Sequence, residues 1–370
     1  MPVLQKKYFL LLCLLLLGGC SHALWSPSDQ KPVISRTDLL SGELLFGERA
    51  KAMMLPDDHV MRLDSEMRKY LDRYVPAHNV PQRRVRMLMD MILNAGMLNM
   101  TYDAARTYTA RNAFQNSEGN CLAFSYLFVA FAQARGLKVT FQEVEIPPEW
   151  NSTRNELYTL SRHVNVKVHM KHIRDYIIDI DRINYKPHYR TWRISGDHAI
   201  ALYYSNRGTD YLNERDYENA FRYLAKALKM APKDPAIWSN LGVLYRMKEK
   251  YVYAERAYFI ALEYNDRQRS VLSNLSVLYE HMGQPEKAEY YFQRAKTHQM
   301  QNPYYRYYQA LEAFEGGDYK LSLSHLKTAL KRRKDEQKFY RLLGDIYTKL
   351  GDMVRANNAR AKAKELSEHP

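Results

Sequence analysis

Cysteine is scarce in this chain: among 370 residues there are three, Cys13, Cys20 and Cys121. So few exclude a disulfide framework. No spacing of Cys, His or carboxylates has the form of a zinc site, and neither an EF-hand calcium loop nor a glycine-rich phosphate loop is present. Metal-independent chemistry with no cofactor is therefore expected. Long hydrophobic runs are also lacking. The one apolar stretch, Tyr8 to Leu17 behind Lys6 and Lys7, is too short to cross a bilayer as a mature helix and reads as a cleavable export signal, 1–19. Charge is unbalanced at +14, but the lysines and arginines are interspersed with acidic residues. That pattern favours anionic envelope surfaces and argues against nucleic acid as a partner.

The signal ends in Leu17-Gly18-Gly19-Cys20, which resembles the lipobox of bacterial lipoproteins, whose cysteine is diacylated and becomes the first residue. The resemblance implies lipidation at Cys20, and Ser21 in place of aspartate implies delivery to the outer membrane, facing the periplasm. A polar stretch, Ser26 to Arg36, reads as a tether, so 20–56 is taken as lipidated N-terminus and tether. Cys13 leaves with the signal and Cys20 carries lipid. Cys121 is then a lone thiol in an oxidising compartment, which argues for a chemical use.

The remaining length suits two modules of roughly 150 residues each. Helical spacing runs through Thr37 to Phe46, Asp58 to Tyr74 and Gln82 to Asn94, helices expected to pack on a catalytic core. From Asn120 to Arg135 apolar residues recur at helical spacing until Gly136, which puts Cys121 at a helix N-terminus. Strands are predicted over Lys138 to Ile146, His163 to Met170 and Asp175 to Asp181. Helices followed by an antiparallel sheet read as an α+β module, 57–203.

Over 204–370 the pattern becomes helical with a 34-residue period, resembling tetratricopeptide repeats. Small residues recur at Gly208, Gly242, Ser276, Ala310 and Gly344, and alanine at Ala227, Ala261, Ala295, Ala329 and Ala363. Five such copies build an all-α solenoid in which each buries its face against its neighbours. Asn206, Asn240 and Asn274 hold one equivalent position, two residues before the small one. A side-chain amide both donates and accepts, so such a row suits an extended peptide backbone. It resembles the asparagine ladder in the repeats of some glycosyltransferases, and a solvated polar position is the competing reading.

A helix N-terminus offers a thiol partial positive charge and free N–H groups, and a histidine must take the thiol proton while a third group orients that histidine. Cys121, His163 and Asp179 are the candidates. His169, His172, His188 and His198 are rivals for the base, and Asp181, on the same strand face as Asp179, for the carboxylate. Gly119-Asn120-Cys121, Ala134 to Val139, His163-Val164-Asn165-Val166 and Tyr176-Ile177-Ile178-Asp179 together resemble the transglutaminase-like, papain-type cysteine superfamily over Asp57 to Tyr203. In that family Cys begins a helix, His opens a following strand and Asp ends the next. The chain lacks the Trp after the histidine and the Pro after the aspartate of the eukaryotic enzymes, which argues against true protein crosslinking.

The oxyanion of a tetrahedral intermediate needs donors, and the Cys121 N–H is the first. Gln115, six residues upstream, has the spacing of the papain-type glutamine, and Asn120 is the other choice. The function these features imply is acyl transfer on an amide bond of a protein or peptide, as protease, amidase or ligase, with the repeats recruiting substrate or a protein partner. The alternative is a non-catalytic envelope scaffold that assembles partners on its repeats.

Overall fold

Ten helices of the C-terminal half pair through small residues that let their axes approach. In the computed structural model, which describes residues 34–145, 162–181, 185 and 189–368, these are α7 (Gly196–Asn213) with α8 (Tyr217–Met230), α9 (Pro235–Met247) with α10 (Tyr251–Tyr264), α11 (Arg269–His281) with α12 (Pro285–Gln301), α13 (Pro303–Glu315) with α14 (Tyr319–Arg332), and α15 (Gln337–Lys349) with α16 (Met353–Glu368). A Cβ added to Gly242 lies 2.4 Å from the Tyr258 ring, so no side chain fits where α9 meets α10. Where the third and fourth pairs carry serine, its hydroxyl binds the partner helix: Ser276 donates to the Ala288 carbonyl at 2.9 Å and Ser322 to that of Ala310 at 2.6 Å. The recurring alanines are all buried.

The cysteine module precedes them within the same compact unit, Ile34–Pro370. Its helices are α3 (Ser65–Tyr74), capped by the Asp64 side chain, α4 (Pro81–Leu93), opened by its proline, α5 (Ala110–Asn116) and α6 (Cys121–Ala134). A four-stranded antiparallel sheet, ordered β5-β4-β3-β6, consists of β3 (Lys138–Val144), β4 (His163–His169), β5 (Tyr176–Ile178) and β6 (Thr191–Ile194). In register, Ile178, Val166, Phe141 and Ile194 form one buried row across all four strands. Phe141 meets Tyr126 of α6 edge-on at 6.1 Å. A short parallel pair, β1 (Thr101–Tyr102) with β2 (Glu118–Gly119), sets Tyr102 opposite Gly119 just ahead of Cys121. Helix α6 is buried from Cys121 to Ala132. It is enclosed by α4, α5, β3 and β4, so it is a central helix and not one with a wet face.

Three sequence expectations are corrected here. The boundary between 203 and 204 falls inside α7: Tyr126 donates to the Ala199 carbonyl at 2.6 Å, while Gly208 meets Leu224 of α8. One helix is therefore the last of the cysteine module and the first of the repeats. Residues 58–64 are not helical, because α3 waits for its Asp64 cap. The third correction concerns α1 (Arg36–Ser41), α2 (Glu43–Phe46) and the 3₁₀ turn Gly47–Ala52, which pack on the repeats and not on the α+β core. Leu39 is wholly buried, its carbonyl accepts the Tyr245 hydroxyl at 2.8 Å, and Phe46 meets Phe221 edge-on. Arg256 and Arg222 donate to the carbonyls of Ile34 and Met54. From residue 34 on, the expected tether is a folded strap. The signal, Cys20 and His188 lie outside the described residues.

Candidate active site

Asn120 is the N-cap of α6: its side-chain oxygen accepts the N–H groups of Leu122 at 3.1 Å and Ala123 at 3.0 Å, and its carbonyl takes that of Phe124. Among the described residues this leaves the N–H of Cys121 as the unspent donor of the first turn. Gly119 makes the approach possible, since a Cβ there lies 2.7 Å from that of Ala123 and its φ is +156°. Cys121 is buried, 6% exposed.

His163 begins β4 and is 3% exposed. Its Nε2 lies 2.7 Å from Asp179 Oδ2, just past β5, while Asp179 Oδ1 accepts the N–H of Asp181 at 2.9 Å. Cys121 lies close enough to the same imidazole for its charge to act on the ring. Burial alone favours a neutral ring. The hydrogen bonds and charges of Asp179 and Cys121 outweigh it and push the imidazole up to about 10. The folded value exceeds the ordinary 6.5, so the charged ring stabilises the fold fully below about 6.5, and that contribution is lost as pH rises through about 10. Thermal melts should accordingly show the wild type losing more of its Tm between pH 7 and pH 10 than His163→Gln does. Equal losses in the two proteins refute the raised value.

The structure thus brings Cys121, His163 and Asp179 together. Asp181 is buried beside them without taking the imidazole. Among the rival bases, His169 lies 3.0 Å from Thr140 and 3.4 Å from Asp175, His172 is exposed, and His198 pairs with Asp234. Gln115 is exposed on α5, with no described bond to the thiol or its partners, and Asn120 is spent on the cap and on Thr107.

Two aromatic residues missing from the sequence expectation stand at the site. Tyr185 stacks on the His163 ring, 6.5 Å between centroids and 20° between planes. Tyr102 is 43% exposed; burial, then the nearby Cys121, Asp181 and Asp179, push its phenol up to about 12, so it keeps its proton as an O–H donor beside the thiol.

The asparagines of the repeats donate inward. Asn240 reaches Ser205 at 3.1 Å, and Asn274 reaches Ser239 at 3.1 Å, each one repeat back. Asn206 has no repeat behind it and donates to Thr107 of the cysteine module at 3.1 Å. Their Nδ2 groups therefore stitch neighbouring helices.

With that geometry in hand, comparison with known proteins identifies the C-terminal half. The tetratricopeptide repeat family matches residues 205–259 and 307–362. The matched stretches fall on α7 to α10 and α13 to α16, and α7 to α16 together are tetratricopeptide-like repeats, which support binding of protein partners. No curated protein matches the chain. Similar solved structures include the MamA protein, at 18% identity over 45% of this chain and 92% of that one with a TM-score of 0.25. Pseudomonas aeruginosa PilF is similar at 18% over 46% and 78%, TM-score 0.28. YrrB, described as a TPR protein with an unusual peptide-binding site, is similar at 20% over 45% and 86%, TM-score 0.25. The family match begins within α7 and does not reach Cys121, His163 or Asp179.

Proposed function

We propose that this chain is a transglutaminase-like cysteine enzyme of the bacterial cell envelope, anchored through lipid on Cys20, that transfers the acyl group of a protein or peptide amide. The observation that carries the reading is the buried His163 imidazole, held by Asp179 at 2.7 Å and close to a cysteine at a helix start. In this reading the sulfur of Cys121 attacks the amide carbonyl as a thiolate while His163 holds the proton. The N–H of Cys121 and the hydroxyl of Tyr102 donate to the oxyanion. The imidazolium then returns its proton to the departing amine, leaving a thioester that water or a second amine resolves. The repeats hold the protein that supplies or receives the acyl group.

A second reading is favoured by the family match, which touches the repeats alone: a non-catalytic scaffold, with the cysteine module as a structural or binding part. An acyl or epoxide activity-based probe separates the two. The enzyme reading expects the probe to label wild type and not Cys121→Ala, and free thiol reagents to react with Cys121 at neutral pH much faster than with a model thiol. Labelling independent of Cys121, with reactivity like a model thiol, leaves the scaffold.

A further inference from the structure

Among the polar contacts between the first two repeats and the cysteine module, two end one residue away from a member of the catalytic pair. On the side of the base, Arg162 directly precedes His163. Its guanidinium is gripped by Glu143 of β3, Nε to Oε1 at 2.6 Å and Nη2 to Oε2 at 2.7 Å, and its Nη1 donates to Asp234 Oδ2. Asp234 belongs to the second repeat, where its Oδ1 caps α9 by accepting the N–H groups of Ala236 at 2.9 Å and Ile237 at 3.2 Å. Its Oδ2 also faces His198 Nε2 at 2.8 Å. Asp234 and Glu143 are 4% and 6% exposed, so removing either carboxylate leaves the half-buried Arg162 guanidinium short of a partner.

On the side of the nucleophile, Asn206 of the first repeat donates to Thr107 Oγ1 at 3.1 Å, and the same oxygen receives Nδ2 of Asn120 at 2.6 Å. Asn120 is the cap on which Cys121 sits. Asn240 and Asn274 make the matching bond to a serine of the preceding repeat. Thr107 therefore stands where a preceding repeat would be, and the array docks on the helix start that carries the thiol.

We infer that the first two tetratricopeptide repeats position the catalytic pair: Asn206 sets Cys121 through Thr107 and Asn120, and Asp234 sets His163 through Arg162. The inference rests on the enzyme reading above. Proton transfer between sulfur and imidazole depends steeply on their separation, and a shift of about 1 Å can cost up to roughly 100-fold in rate. A protein seated on these repeats therefore acts on thiol reactivity through two short chains of bonds. Neither the repeats nor the cysteine module is an independent part in this arrangement.

The test is the rate of Cys121 alkylation by iodoacetamide against pH, on the full chain, in four variants. Asp234→Asn keeps a capping oxygen for α9 and loses the charge; Asn206→Ala loses the link to Thr107. Asn240→Ala, which breaks the same bond one repeat further on, is the matched control, and His163→Gln reports on the pair itself. Titratable groups that sense Cys121 are His163 from β4, Tyr102 from β1 and Tyr126 of its own helix, with Asp179 near the first two and Asp181 near Tyr102, and none is altered in the two test variants. Asp234→Asn and Asn206→Ala are expected to slow alkylation at pH 7 by about tenfold and to move the midpoint of the profile upward, with Asn240→Ala at the wild-type rate. Rates and midpoints equal to those of Asn240→Ala in both variants overturn the inference, provided His163→Gln is slow. A His163→Gln protein as fast as wild type brings down the enzyme reading instead.

Discussion

Alkylation of Cys121 at pH 7 is expected to slow by about 30-fold in His163→Ala, and acyl transfer to fall by a further factor of at least about 100. The first number follows from ionisation: an ordinary thiol is only about 3% thiolate at pH 7, whereas a thiol paired with an imidazolium is ionised almost completely. The second follows from the return of the proton, since without His163 the leaving amine has no acid at hand. Asp179→Asn should do less to alkylation and more to turnover, because the amide can still hold the ring but offers its charge no compensation. Stopped-flow alkylation and probe labelling of both variants measure the two effects separately. An alkylation rate in His163→Ala equal to that of wild type means the imidazole and the sulfur do not share a proton.

How much of this was legible in the sequence depends on the range of the interaction involved. Cys121 at a helix start and His163 at a strand start follow from spacing within a dozen or so residues and the repeat register from a 34-residue period, and these elements lie within a few residues of expectation. Strand β6 was missed because its pattern is not a strand pattern: Thr191, Trp192 and Arg193 are exposed and Ile194 alone is buried. Tyr102 and Tyr185 sit in short or irregular segments where no periodicity marks an inward direction. Arg162 reads as any surface arginine until Glu143 and Asp234, 72 residues further on, are placed around it. The shared helix α7 was hidden for another reason. A 34-residue marker begins with Gly208 and says nothing of the twelve helical residues upstream, which serve the neighbouring module.

The strap gives the largest stability effect, and it lies outside the repeats it should weaken. Replacing Leu39 by alanine is expected to cost about 2–5 kcal/mol, because the side chain is wholly buried and its removal leaves a cavity. The ion pairs along the same strap weigh much less. Arg36 to Glu263 and Arg49 to Glu218 are exposed at one or both partners, and such pairs contribute about 0–1 kcal/mol. Stability in a repeat array is a sum of local and nearest-neighbour contributions, so the loss should stay local. Hydrogen exchange of Leu39→Ala is expected to show faster exchange in α8, α9 and α10, with α15 and α16 unchanged and α6 protected as before. Should the loss appear first in α4 and α6, the strap belongs energetically to the cysteine module, and Tyr245 and Phe221 are not what holds it.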